Sequence, residues 1–135
     1  MASGKSNYLS QKVLDAEFGI AAFTFPSTIH LALFTVAPSA AGGGTEVSGS
    51  GYARVAVTAN ATNWSRSAQT VSNVNQILFN AFTGAVSTVV AVAAFDASTG
   101  GNMLWFADLP APNQKSFSAN DQAVYPASSI TVTEA

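Results

Sequence analysis

Thr88-Val89-Val90-Ala91-Val92-Ala93-Ala94-Phe95-Asp96-Ala97-Ser98-Thr99-Gly100-Gly101-Asn102-Met103-Leu104-Trp105-Phe106-Ala107-Asp108 is the stretch on which the fold turns. Residues 88–95 form a near-continuous run of β-branched and small apolar side chains, the pattern of a strand buried on both faces. Residues 96–102 have turn composition and 103–108 become apolar again, so the whole reads as a β-hairpin.

Working outward, residues 28–36 alternate, with Ile29, Leu31 and Leu33 on one face and His30, Ala32 and Phe34 on the other. Both faces are largely apolar, which predicts a central strand. A second alternating run, 52–58, follows the loop Gly42-Gly43-Gly44-Thr45-Glu46-Val47-Ser48-Gly49-Ser50-Gly51, where half of the ten glycines sit. Glycine reaches positive φ without steric cost but loses the most backbone entropy on folding, so such a loop is either slack or held. The β-competent residues Thr45 to Ser48 favour a defined shape, one that sets Glu46 and Arg54 against a neighbouring subunit, with Tyr52 beside them.

Residues 60–69 are polar, with Trp64 and Arg66 as the only large side chains, and predict a loop carrying at most a short strand. Residues 76–82 predict a strand with Ile77, Phe79 and Ala81 inward. Pro110 and Pro112 make 109–114 a loop, after which 115–119, 123–125 and 130–134 read as short strands. At the other end, Ser6 or Asn7 caps a helix whose Leu9, Val13 and Ala16 recur at i, i+4 and i+7, with Leu14 and Phe18 on the adjoining stripe and Gly19 as the stop. About twelve residues is marginal for an isolated helix, so it must dock through Leu9 and Val13, on its own sheet or on a neighbour. The prediction is a mainly β fold: an antiparallel sandwich or jelly-roll-like barrel of about seven or eight short strands with one N-terminal helix. It forms a single domain, 1–135, with a helical arm over 1–19 and a β domain over 20–135.

Charge is the informative total. Only 9% of residues are charged, against roughly 25% in ordinary soluble proteins. Such a chain has a weakly charged surface and poorly protected sheet edges, as expected where sister subunits cover much of it. A net charge of −2 with scattered basic residues argues against direct nucleic-acid binding. No run is apolar enough for a membrane-spanning helix, and no leader pattern is present, so no membrane partner is expected. There is no cysteine, hence no disulfide framework and no thiolate metal site.

Catalysis lacks its parts. His30 is the only histidine and lies mid-strand, no Gly-x-Ser-x-Gly occurs, and the carboxylates are dispersed in turns. The triple glycine lacks the Gly-Lys-Ser/Thr ending of a phosphate loop and precedes a strand. Asp96 to Thr99 offers one carboxylate, too few for calcium. Trp64, Trp105, Tyr52 and Tyr125 have the faces to stack on sugars, although aromatic residues in short strands more often build core. The expectation is a protein that is not an enzyme and uses no cofactor and no metal.

Several segments together resemble a family of small tailed-phage virion proteins often described as phage tail fibre proteins. They are Ser6-Asn7-Tyr8-Leu9 with Leu14-Asp15, then Leu31-Ala32-Leu33-Phe34-Thr35 with Pro38. Gly43-Gly44-Thr45-Glu46-Val47-Ser48-Gly49 with Gly51-Tyr52-Ala53-Arg54 and Val57 is the most specific part, followed by the run from Phe95 to Leu104. Asp121, Tyr125-Pro126-Ala127 and Ile130-Thr131-Val132-Thr133 complete it, so that coverage is close to the whole chain. The chain departs at Asn120 and Ser128, where the family often has glycine. The resemblance implies a non-enzymatic particle component located in the virion and assembled in the host cytoplasm.

The leading expectation is a capsid decoration (cement) protein, a homotrimer bridging copies of the major capsid protein or other virion proteins. It rests on the short, self-contained chain, its poverty in charge and its N-terminal helix. The alternative is a tail fibre or baseplate component that adsorbs to the host through loops such as 42–51 or 60–69. Expected assembly contacts are Glu46, Arg54, Tyr52, Leu9 and Val13.

Overall fold

The computed structural model describes residues 3–134; Met1, Ala2 and Ala135, which the predicted arm and β domain include, lie outside the described residues. β1 (Ser3–Lys5) leads into α1 (Asn7–Glu17). Ser6 caps the helix by accepting a hydrogen bond from the Leu9 amide at 3.1 Å. Its end is a Schellman turn: Gly19 takes φ +71°, the Ile20 amide donates to the Asp15 carbonyl, and the Gly19 amide donates to that of Ala16. The helix is pinned at its start, where the Ser6 amide donates to Leu104 and that of Asn7 to Ala40.

The long strand β2 (Thr28–Val36) is central, as its two apolar faces predict. On one side it pairs with β9 (Ala91–Phe95). On the other it takes two partners in turn, β4 (Val55–Thr58) along its first half and β3 (Thr45–Glu46) along its second. β10 (Met103–Asp108) pairs with β9 and β1 with β10, which completes a six-stranded sheet. Alternation then divides the core. Leu31, Leu33, Val92 and Ala94 face the main cluster, whereas Ala32, Phe34, Ala91 and Ala93 face a smaller one with Met103 and Phe106.

No closed sandwich or barrel of seven or eight strands forms among the described residues. Thirteen strands, most of four residues or fewer, divide among the six-stranded sheet and three small antiparallel ones. The reason lies at Val90. The apolar run predicted as one strand is two: β8 (Val86–Val89) pairs with β11 (Lys115–Phe117) in a separate sheet, and at Val90 the chain crosses into the main one. Beyond it, β7 (Ile77–Leu78) pairs with β12 (Val124–Tyr125). β6 (Thr70–Asn73) pairs with both β5 (Trp64–Ser67) and β13 (Thr131–Thr133). The pairs 9–10, 8–11, 7–12 and 6–13 are therefore nested around one hairpin tip.

The predicted strand over 76–82 is regular only at β7. Phe79 and Phe82 are nonetheless buried, held by amide bonds to Ala123 and Asp121, while Ala81, expected inward, is exposed. The predicted loop over 60–69 contains β5, which turns tightly into β6 through Ala68 at φ +51°. Asn73, buried with Phe79 and Phe82 in the interior, ties this sheet to the C-terminal corner. Its side chain accepts from the Ile130 amide at 2.9 Å and donates to the carbonyls of Asn75 and Pro126. In that corner Ser128 takes φ +63°, and Asn120 in the preceding turn takes φ +73°. Both are left-handed conformations that glycine adopts without penalty.

Candidate functional site

The glycine loop is held. Ser39 and Gly42 exchange backbone hydrogen bonds at 3.0 and 2.9 Å, β3 joins the main sheet, and the Val47 amide donates to Leu33. Gly44 cannot be replaced without a shift, because it has φ +74° and a Cβ there would stand 2.5 Å from the Val36 carbonyl oxygen.

Between its β4 and β3 partners, β2 has an uncovered stretch of edge. The Tyr52 hydroxyl fills it, accepting from the Leu33 amide at 3.0 Å and donating to Glu46 Oε2 at 2.7 Å. Arg54 grips the same carboxylate in a two-point fork, Nε to Oε2 at 2.9 Å and Nη2 to Oε1 at 2.8 Å. Its Nη1 donates to the carbonyls of Ala97 and Gly100, each at 2.8 Å, and its guanidinium lies 3.9 Å from the centre of the Phe95 ring. The tip of the β9–β10 hairpin is itself shaped by Asp96, whose carboxylate accepts from the Asn102 amide at 2.7 Å and from its side chain at 3.0 Å.

The electrostatics follow from this packing. Burial pushes the Glu46 carboxyl up, but the hydrogen bonds from Arg54 and Tyr52 and the Arg54 charge outweigh it and hold Glu46 below the usual carboxylate range. Burial and the bond to Glu46 raise the Tyr52 hydroxyl well above its ordinary value. The hydrogen bonds to Glu46 raise Arg54 further. Arg54 is 5% exposed at its side chain and has four donors engaged within the chain. Glu46, Tyr52 and Arg54, expected to face a neighbour, are brought together with one another and with the hairpin tip. This arrangement locks two loops together, and its one hydroxyl beside a carboxylate, that of Tyr52, is engaged by Glu46 and the Leu33 amide.

Leu9 is buried and Val13 half-buried where α1 lies against the chain's own body. The helix end stands open. Leu14 is 53%, Phe18 75%, Ile20 74% and Phe25 60% exposed. The chain after the helix folds back so that Phe23 packs edge-on against Tyr8 at 6.4 Å and Phe25 against Phe23 at 4.9 Å.

A third feature escaped the sequence reading. An open cleft of about 740 Å³ separates the main sheet from the β5–β6–β13 sheet. Ile29, Leu31, Val92 and Trp105 line one wall, and Trp64, Val71 and Ile130 belong to the other. Exposed Asn60, Arg66, Gln69 and Glu134 border it, and Lys5 pairs with Glu134 beside it. The Trp64 indole nitrogen is buried without a hydrogen-bond partner.

His30 sits in register between Ala56 and Phe95, with no catalytic company. Among the described residues no group of three or more His, Cys, Asp or Glu gathers where it could hold a metal ion. No helix there is long and apolar enough to cross a membrane.

Residues 4–133 match the family described as podophage GP4 fiber I protein gp80. The chain belongs to this family. It is a structural protein of the phage virion and not an enzyme, and the resemblance read from the glycine loop and the hairpin is thereby established across nearly the whole chain. No curated protein sequence matches it. The matched span includes the residues of the loop lock, those of the open arm and all of the cleft lining but Glu134.

Proposed function

We propose that this chain is a component of the fibre of a short-tailed phage, structural in role, and that its cleft takes part in adsorption to the host. The family match carries this reading, because the matching family is described as a fibre protein. It favours the tail alternative over the head-decoration role expected from brevity and low charge. The cleft supports the second half. Indole faces suit the apolar faces of sugar rings, and the amide, guanidinium and carboxylate groups along the border suit hydroxyls. Its volume falls within the range of about 300–1,000 Å³ usual for small-ligand sites.

Quantitative gel analysis of purified particles tests the location. A few to a few dozen copies per particle, with antibody label on the tail, is the expected outcome; hundreds of copies over the head would restore decoration. Retention of the purified chain on host cells, competed by host surface polysaccharide, tests adsorption, and absence of retention overturns that half.

A further inference from the structure

The cleft sorts its lining by polarity. The lining residues with amide, hydroxyl or charged side chains, Asn60, Ser65, Arg66, Gln69 and Glu134, are all exposed and form its rim. The buried ones, among them Leu31, Val92 and Ile130, are apolar, and half-buried Val71 and Val132 extend that floor. Apart from the two indole nitrogens, no buried or half-buried side chain of the lining carries a hydrogen-bonding atom, and the indole nitrogen of Trp64 is itself closed off from solvent. Backbone offers no substitute along the main-sheet wall, because β2, β9 and β10 each have neighbours on both edges. A ligand therefore meets hydrogen-bonding groups at the rim and an apolar surface below it.

We infer that the cleft selects a 6-deoxyhexose residue, a sugar whose C6 is a methyl group in place of a hydroxymethyl. The inference rests on the adsorption reading and names the class of sugar that the same site takes. Stacking on an indole uses the C–H face that any hexose offers, so discrimination falls to the group carried inward. An ordinary hexose brings its C6 hydroxyl onto a floor that holds no partner for it, and a polar group stripped of water and left unpaired is penalised. The methyl of a deoxy sugar leaves nothing unpaired and is stabilised by leaving water. An N-acetyl group also ends in a methyl, but it carries an amide N–H and C=O onto the same floor. A plain acyl chain suits the floor and leaves the amides of Asn60 and Gln69 at the rim unused, whereas the ring hydroxyls of a deoxyhexose match them.

Titration calorimetry and saturation-transfer NMR on the full chain, with matched methyl glycosides, form the test. The L-fucoside is set against the L-galactoside and the L-rhamnoside against the L-mannoside, pairs that differ only at C6. The deoxy member of at least one pair is expected to bind about tenfold tighter or more, with the strongest saturation on its C6 methyl protons. Val71→Thr places a hydroxyl on the floor at nearly unchanged shape. It is expected to shrink that ratio to about threefold or less, with circular dichroism showing that the fold is kept. Equal affinities within both pairs, saturation centred away from the methyl, or a preference that Val71→Thr does not move overturns the inference. So does tighter binding of octanoate than of any sugar, or no binding at all. Retention on host cells decides adsorption separately. Retention without the deoxy preference leaves adsorption standing and removes this inference, whereas the preference without retention supports the inference and removes adsorption.

Discussion

The lock around Arg54 and the arm ending at Phe25 invert the usual distribution of polarity. In the lock, a carboxylate, a phenol and a guanidinium are turned inward and hydrogen-bonded to one another and to backbone. In the arm, four large apolar side chains are turned outward. The lock spends its polar groups on one another and on backbone, while the arm leaves large apolar side chains in water beside Glu17. In a chain this poor in charge, polar residues fix loop shape, and part of the apolar surface is left open to water.

Substitutions can break or sharpen that contrast. The largest effect belongs to Arg54→Ala, which leaves the Glu46 carboxylate with Tyr52 alone and takes the guanidinium donor from two loop carbonyls. Urea unfolding should show a loss of about 3 kcal/mol, toward the low end for a broken buried pair because Glu46 retains some solvent. Tyr52→Phe comes next. It strips the Leu33 amide of its acceptor and Glu46 of one donor, at a cost of about 1–2 kcal/mol in the same experiment.

The third prediction concerns pH. Glu46 is held below its ordinary value in the folded chain, so its contribution is fully present above the usual carboxylate range and is lost as pH falls through the lowered value. Glu46→Gln should flatten the acid limb of the stability profile; an unchanged slope would remove the ion pair from the account. The smallest effect is expected in the arm. Phe25→Ser, assayed at low protein concentration, should move unfolding by less than about 0.5 kcal/mol, because the ring is mostly in water already. A large loss there would make the arm part of the core and erase the comparison.

Where local rules act alone, sequence and structure agree. The Ser6 cap, the stop at Gly19, the full span of β2 and the hairpin around residues 96–102 are all set by neighbours in the chain. The break at Val90 was illegible because apolar periodicity is the same on both sides of a strand that changes sheets. The β5–β6 hairpin was missed because its turn places Ala68 at positive φ, with no glycine or asparagine to announce it. Asn120 and Ser128 were noticed as departures from family glycines, and both hold the conformations those glycines would take. In the site, Glu46 and Arg54 were legible as a pair worth naming. Their partners were not, since Phe95, Ala97 and Gly100 lie more than forty residues away from Arg54 and only the sheet brings them near. The cleft was equally hidden, because Trp64 and Trp105, which line its opposite walls, are forty-one residues apart and lie in different sheets.

The nesting of strand pairs 9–10, 8–11, 7–12 and 6–13 around one tip bears on how the chain reaches this state. Each pair, once formed, shortens the loop that the next must close, so the entropy of distant pairing is met in small increments. Folding is expected to zip outward from Asp96 and Asn102, with β6 and β13 docking last. Mutations near the tip should slow folding, whereas changes at Asn73 or Ile130 should chiefly hasten unfolding. In this half of the chain β6 and β13 need not find each other across an open loop, whereas β2 and β1 must still reach β9 and β10 over longer ones.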